Sequence, residues 1–100
     1  MAIYGNRQFG LFFSPVVEIR TNGFIFKGTQ YVWSDVKNIE ILEGSGIPIW
    51  GSPNTLLVRL RNGIHINIQD VAFEKREEPL MAGYSSAFDE VIALFKAATQ

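Results

Sequence analysis

The sequence predicts a mainly β domain closed by one C-terminal helix, and three observations carry that expectation. Apolar residues recur at every second position through the first two thirds of the chain. Two Asn-Gly dipeptides, Asn22-Gly23 and Asn62-Gly63, punctuate that alternation in the manner of tight hairpins. Helical spacing appears only near the end, where Phe88, Val91, Ile92, Phe95 and Ala98 fall at i, i+3, i+4, i+7 and i+10.

The elements follow in order. Phe9 to Phe13 is expected to form a first strand before Pro15. Val17 to Thr21 forms the next, with Val17, Ile19 and Thr21 inward, and the Asn22-Gly23 turn leads into Phe24 to Lys27. A second tight turn at Gly28-Thr29 opens Gln30 to Trp33, in which Tyr31 and Trp33 share a face and Val32 takes the other. Ser34 and Asp35 bond their own backbone and turn the chain, and Val36 to Glu43 resumes extended with Ile39 and Ile41 on one face. Gly44 to Asn54 is rich in Gly, Ser and Pro and reads as a loop. Thr55 to Arg61 then places Leu56, Val58 and Leu60 inward and Leu57, Arg59 and Arg61 outward. After the second Asn-Gly turn, Ile64, Ile66 and Ile68 alternate with His65, Asn67 and Gln69. These runs make seven strands.

Asp70 to Ser85 contains the charge run Glu74, Lys75, Arg76, Glu77, Glu78 before Pro79. It reads as a surface connection holding one helical turn, capped by Asp70 and stopped by Pro79. Ser86 with Asp89 three residues later resembles a capping box and starts the helix, expected over about 86–98. Asp89 and Glu90 belong to its polar face near the N-terminal end and Lys96 near the C-terminal end, as the helix dipole favours.

Composition narrows the function classes. At 100 residues, 11.3 kDa and 47% hydrophobic, the chain has the length and apolar content of one self-sufficient domain. It has no cysteine, which excludes disulfides, thiolate metal sites and cysteine nucleophiles. A net charge of −1 argues against nonspecific nucleic-acid binding, which needs a surplus of Lys and Arg. No signal-peptide core and no run of the ~20 apolar residues needed to span a bilayer are evident, so a cytoplasmic location is the expectation.

The strings TNGFIFKGTQYVWSDVKNIEIL, TLLVRLRNGIHINIQ and FDEVIALFKAA resemble the bacterial members of the pleckstrin-homology-like (PH-like) superfamily. There a Gly-marked hairpin leads to a Trp-x-Asp-aliphatic turn, here Trp33, Asp35 and Val36, followed by a long strand. The resemblance covers about 16–98. It implies a PH-like barrel or sandwich of seven antiparallel strands in two near-orthogonal sheets, with the helix over one end. The connection 70–85 is longer than that pattern has. The phosphoinositide binding for which the family is known depends on basic residues in the loop between the first two strands, and this chain lacks them.

The remaining candidates are surface features. Ile47, Ile49 and Trp50 form an apolar wedge in the Gly-rich loop, suited to a protein partner or a membrane interface. Arg59 and Arg61, at i and i+2, share one strand face and can meet a phosphate or carboxylate, or simply guard a sheet surface. His65 is the sole histidine, and no Gly-x-Ser-x-Gly turn or nucleophile pattern accompanies it. Metal-ligand spacings, phosphate loops and dinucleotide fingerprints are absent from the sequence, so neither a catalytic centre nor a cofactor is expected.

The expectation is a noncatalytic module that binds another protein or a second copy of itself. Two alternatives remain open. One is a peripheral lipid-binding domain that uses Trp50 as wedge and Arg59, Arg61 or Lys37 as headgroup contacts. The other is a small enzyme or ligand carrier whose pocket is lined by Phe26, Tyr31 and Trp33.

Overall fold

A computed structural model describes residues 2–8, 10–44 and 53–100. Within them the chain forms β1 (Ala2–Gln8), β2 (Phe12–Arg20), β3 (Gly23–Phe26), β4 (Thr29–Val32), a 3-10 turn (Trp33–Asp35), β5 (Val36–Leu42), β6 (Thr55–Leu60), β7 (His65–Gln69), β8 (Phe73–Lys75) and α1 (Ala87–Thr99). Two antiparallel sheets result, one ordered β4-β3-β2-β1-β8 and the other β5-β6-β7. They do not close into a barrel. No helix among the described residues is long and apolar enough to cross a membrane.

The N-terminal strand differs from its expected position. Within the expected first strand, Gly10 and Leu11 form a turn and Phe12 and Phe13 already belong to β2: Gly10 takes φ +69° and Leu11 N–H donates to Gln8 C=O at 3.0 Å. Strand β1 lies before it, interior to the large sheet between β2 and β8. Its sequence, Ala-Ile-Tyr-Gly-Asn-Arg-Gln, reads poorly as a strand because Gly5 and Asn6 interrupt the alternation. Gly5 is required by proximity, since a Cβ there would stand 2.1 Å from the Ser14 carbonyl oxygen. Pro15 falls inside β2. The register passes from Tyr4↔Val17 to Gly5↔Pro15, leaving Val16 as the extra residue of a bulge, where a missing N–H is tolerated.

The hairpins form where the Asn-Gly dipeptides stand, but with different turn chemistry. Thr21 and Asn22 make the first turn, while Gly23 opens β3 opposite Arg20. Gly23 is small because a Cβ would meet the Tyr31 carbonyl oxygen at 2.0 Å. The mirror-image two-residue turn belongs to Lys27-Gly28, both at positive φ (47° and 88°), joining the pair Phe26↔Thr29. At Asn62-Gly63 the loop has three residues: Gly63 N–H donates to Leu60 C=O, Leu60 N–H donates to Ile64 C=O, and Gly63 takes φ +91°.

Residues 70–85 hold a strand in place of the expected helical turn. Phe73, Glu74 and Lys75 pair with Asn6, Gly5 and Tyr4, and Arg7 N–H→Ala72 C=O and Arg76 N–H→Ile3 C=O extend the ladder. The charge run is thereby split by the pleat. Lys75 points inward with Phe73, and Glu74 outward, where it pairs with Arg7.

The core lies between the sheets and under α1, built from Tyr4, Val17, Phe24, Leu56, Val58, Ile68, Phe88, Val91 and Phe95 among others. Val17 and Ile19 are inward as expected, whereas Thr21 is exposed in its turn. Ile66 and Ile68 are buried, but Ile64, bonded to Leu60 where the loop closes, is exposed. Leu57, on the outward face, is nonetheless only 9% exposed, as it lies on the central strand β6 with β5 and β7 on either side. The helix begins at a Ser86 cap whose Oγ accepts Asp89 N–H at 3.1 Å.

Candidate functional site

The expected candidates separate on the structure. Ile47, Ile49 and Trp50 lie outside the described residues. Arg59 and Arg61 share an outer sheet face, and each is committed within the chain. Arg59 donates from Nη2 to Glu40 Oε1 at 2.8 Å and from Nη1 to Asn38 Oδ1 at 3.2 Å, both across the β5–β6 ladder. Arg61 donates from Nε to Ser34 C=O at 3.0 Å, and its N–H reaches Asp35 C=O at 2.9 Å. Arg61 thus holds the corner between the two sheets. The opposite side of that corner is fixed by Trp33, whose Nε1–H donates to Thr21 C=O at 3.1 Å, and by Asp35, whose carboxylate accepts Val32 N–H at 3.2 Å. The Trp-x-Asp segment is therefore a structural turn.

Of the aromatics expected to line a ligand pocket, Tyr31 and Trp33 pack on Phe24 and Phe26 is half-buried against the core. Phe24 stacks on Tyr31 at 5.2 Å, and Trp33 meets Phe24 at 5.3 Å and Phe95 edge-on at 5.2 Å. His65 lies exposed at the start of β7.

The group that sequence reasoning placed wrongly is Glu90. It belongs to the buried face of α1 and is fully removed from solvent. Three donors from three elements converge on its carboxylate. Tyr4 Oη of β1 donates to Oε2 at 2.5 Å, Lys75 Nζ of β8 lies 3.1 Å from Oε2, and the Met81 N–H of the connecting loop donates to Oε1 at 2.6 Å. Lys75 Nζ also donates to Pro79 C=O at 3.1 Å. Every buried side-chain polar atom among the described residues has a partner.

The electrostatics follow from this packing. Burial by itself pushes the Glu90 carboxyl up, but the hydrogen bonds from Tyr4, Met81 and Lys75 and the ammonium charge outweigh it, so its pKa lies below the ordinary carboxylate value. Burial, then the bond to Glu90 and its charge, push the Tyr4 phenol far above its ordinary value. At neutral pH the cluster is a carboxylate, an ammonium and a neutral phenol. Neither oxygen group is poised to exchange a proton there, because the carboxylate is a weakened base and the phenol a weakened acid. The arrangement is suited to fastening α1 to β1, β8 and the loop.

Two surface hollows flank Lys75. One, about 390 Å³, is lined by Tyr4, Ile19, Met81 and Leu94 among others, and the second, about 480 Å³, by Phe73, Pro79, Leu80 and Ser86 among others. Among the described residues no cluster of three His, Asp or Glu side chains could hold a metal ion.

The signal for Glu90 was faint but present. Ala87, Glu90, Val91 and Leu94 are neighbours in helical space, so Glu90 flanks the apolar stripe and does not oppose it. The helix is turned toward that flank, which buries Ala87 and half-buries Leu94. Nothing in the spacing of Tyr4 and Lys75 points to their meeting it.

Exposed apolar residues are the other feature. Leu11 and Phe12, at the β1–β2 turn, are 74% and 66% exposed, and Ile41 and Leu42, at the end of β5, are each 40% exposed. No protein-family model matches the chain, and neither does any curated protein or solved structure.

Proposed function

We propose that this protein is a noncatalytic protein-binding or self-assembly module of PH-like fold, acting through an exposed strand edge. The fold assignment is supported by two antiparallel sheets joined at the Trp33–Asp35 corner, with the C-terminal helix packed on their shared core. One observation carries the function. Arg59 and Arg61 are engaged in holding the fold, whereas β5, an edge of the small sheet with no strand beyond it among the described residues, exposes apolar side chains on both of its faces, Ile41 on one and Leu42 on the other. Open edges with apolar flanks recruit further strands. Light scattering on a sizing column across a range of concentrations tests this. A defined oligomer is the expected result, and a monomer at every concentration overturns the self-assembly reading.

A second reading is favoured by the β1–β2 turn. Leu11 and Phe12 project there beside a cleft of about 290 Å³ lined by Asn6, Arg7, Gln8 and Lys27 among others, an arrangement that suits peripheral contact with an anionic lipid surface. Salt-sensitive pelleting with anionic vesicles, lost in Leu11→Ser/Phe12→Ser, supports it. Absence of pelleting at low salt overturns it.

A further inference from the structure

Backbone polarity defines which groups β5 offers at its open side. Leu60 N–H donates to Ile64 C=O, so Leu60, Val58 and Leu56 turn their backbone groups toward β7, and the intervening Arg59, Leu57 and Thr55 turn theirs toward β5. Their partners Asn38, Glu40 and Leu42 therefore bond into the sheet. The N–H and C=O groups of Ile39 and Ile41 point outward, and among the described residues no strand lies beyond them.

The two edges of this sheet differ in what covers them. On β7 the inward residues Ile66 and Ile68 are buried, whereas on β5 Ile39 is only half-buried and Ile41 is exposed on the same face. An edge strand with unpaired backbone groups and an exposed apolar flank is a template for pairing with another chain.

The sequence of β5 is complementary to itself. If two copies meet antiparallel about a twofold axis at Glu40, Ile39 stands opposite Ile41 of the partner subunit and their outward backbone groups exchange hydrogen bonds. In the same register Lys37, the extra residue of the bulge between Val36 and Asn38, comes near Glu43 of the partner subunit, one residue past the end of β5, and by symmetry this attraction occurs twice. Glu40 faces its own copy at the axis, and the Arg59 guanidinium of its own chain, 2.8 Å away, offsets its charge. We propose that β5 pairs with β5 of a second copy in this register, merging the two three-stranded sheets into one continuous sheet. This rests on the self-assembly reading above and names its partner, its edge and its register.

The test exploits exposed positions and the absence of cysteine. Glu40→Cys places one thiol on the axis, at a non-hydrogen-bonded pair where Cα atoms approach to about 4.5 Å, within disulfide reach. It is expected to form a disulfide-linked dimer on mild oxidation, while Lys37→Cys does not. Lys37→Glu sets Glu against Glu43 of the partner subunit twice and is expected to weaken association about tenfold. Glu43→Lys acts likewise, and the double swap Lys37→Glu/Glu43→Lys restores the dimer. Circular dichroism confirms that each variant is folded. An oligomer indifferent to Lys37→Glu, with no cross-link through Glu40→Cys, overturns β5 pairing and leaves self-assembly through another surface standing. A wild-type monomer at all concentrations overturns both.

Discussion

The hydroxyl of Tyr4 donates a hydrogen bond to the buried carboxylate of Glu90 at 2.5 Å, joining residues 86 positions apart in the chain. Through this bond the first strand holds the last helix, and Lys75 and the Met81 N–H bring β8 and its following loop to the same two oxygens. A buried ion is tolerated only when its charge and lone pairs are met, and here they are. Removing any one participant leaves the others buried and short of a partner.

Glu90→Gln is therefore expected to destabilise the protein by about 3 kcal/mol, because the Lys75 ammonium loses its buried counter-charge. Tyr4→Phe removes one donor and leaves the charge pair in place, so its cost is smaller, about 1–2 kcal/mol. Urea unfolding of the two variants beside wild type checks the order. Equal costs would show that the charge pair contributes nothing beyond the phenol.

The same cluster sets a pH window. The Glu90 carboxyl is held below its ordinary value of 4.5, so its contribution to stability is full above that pH and is lost as pH falls through the lowered folded value. The Tyr4 phenol is raised above its ordinary 10.0, so its contribution is full below pH 10 and is lost as pH climbs toward the folded value. Asp70, raised by burial and then by the charge of Asp89, acts in the opposite sense to Glu90 at low pH. Stability measured by thermal unfolding is expected to fall below about pH 4 and above about pH 10. In Glu90→Gln the acid fall should be shallower.

Gly5→Ala is expected to cost about 3 kcal/mol or to prevent folding, since the new Cβ would lie 2.1 Å from backbone that cannot rotate away. Gly28→Ala, in open space but at φ +88°, should cost only about 1–2 kcal/mol. Thermal melts of the pair separate close approach from backbone conformation as the reason a glycine is needed.

Lys27→Asn is expected to stabilise the protein by about 0.5–1 kcal/mol, because Lys27 sits at φ 47° in a turn that prefers Asn before Gly. A neutral or negative change would mean that the lysine gains something from its place over the Phe26 ring, 5.4 Å away.

The alternation of Leu56, Val58 and Leu60 and of Ile66 and Ile68 made the small-sheet hairpin legible, since a period of two needs no knowledge of the partner strand. The helix and its Ser86 cap were legible for the same reason, being local in sequence. Strands β1 and β8 were not. Each is defined by its neighbour: β1 tolerates Gly5 because Ser14 crowds it, and β8 converts a charged run into an edge by pairing with Tyr4, Gly5 and Asn6.

The sequence by itself determined a mainly β architecture, the hairpins and the C-terminal helix, because periodicity and turn chemistry act within a few residues. Only the tertiary structure decided that Glu90 is buried with Tyr4 and Lys75, that Arg59 and Arg61 are committed to the fold, and that β5 is an edge strand with no neighbour beyond it among the described residues. Those facts depend on which distant segments meet. The burial of one charge and the exposure of one strand edge are properties of that meeting, with no local pattern to announce them.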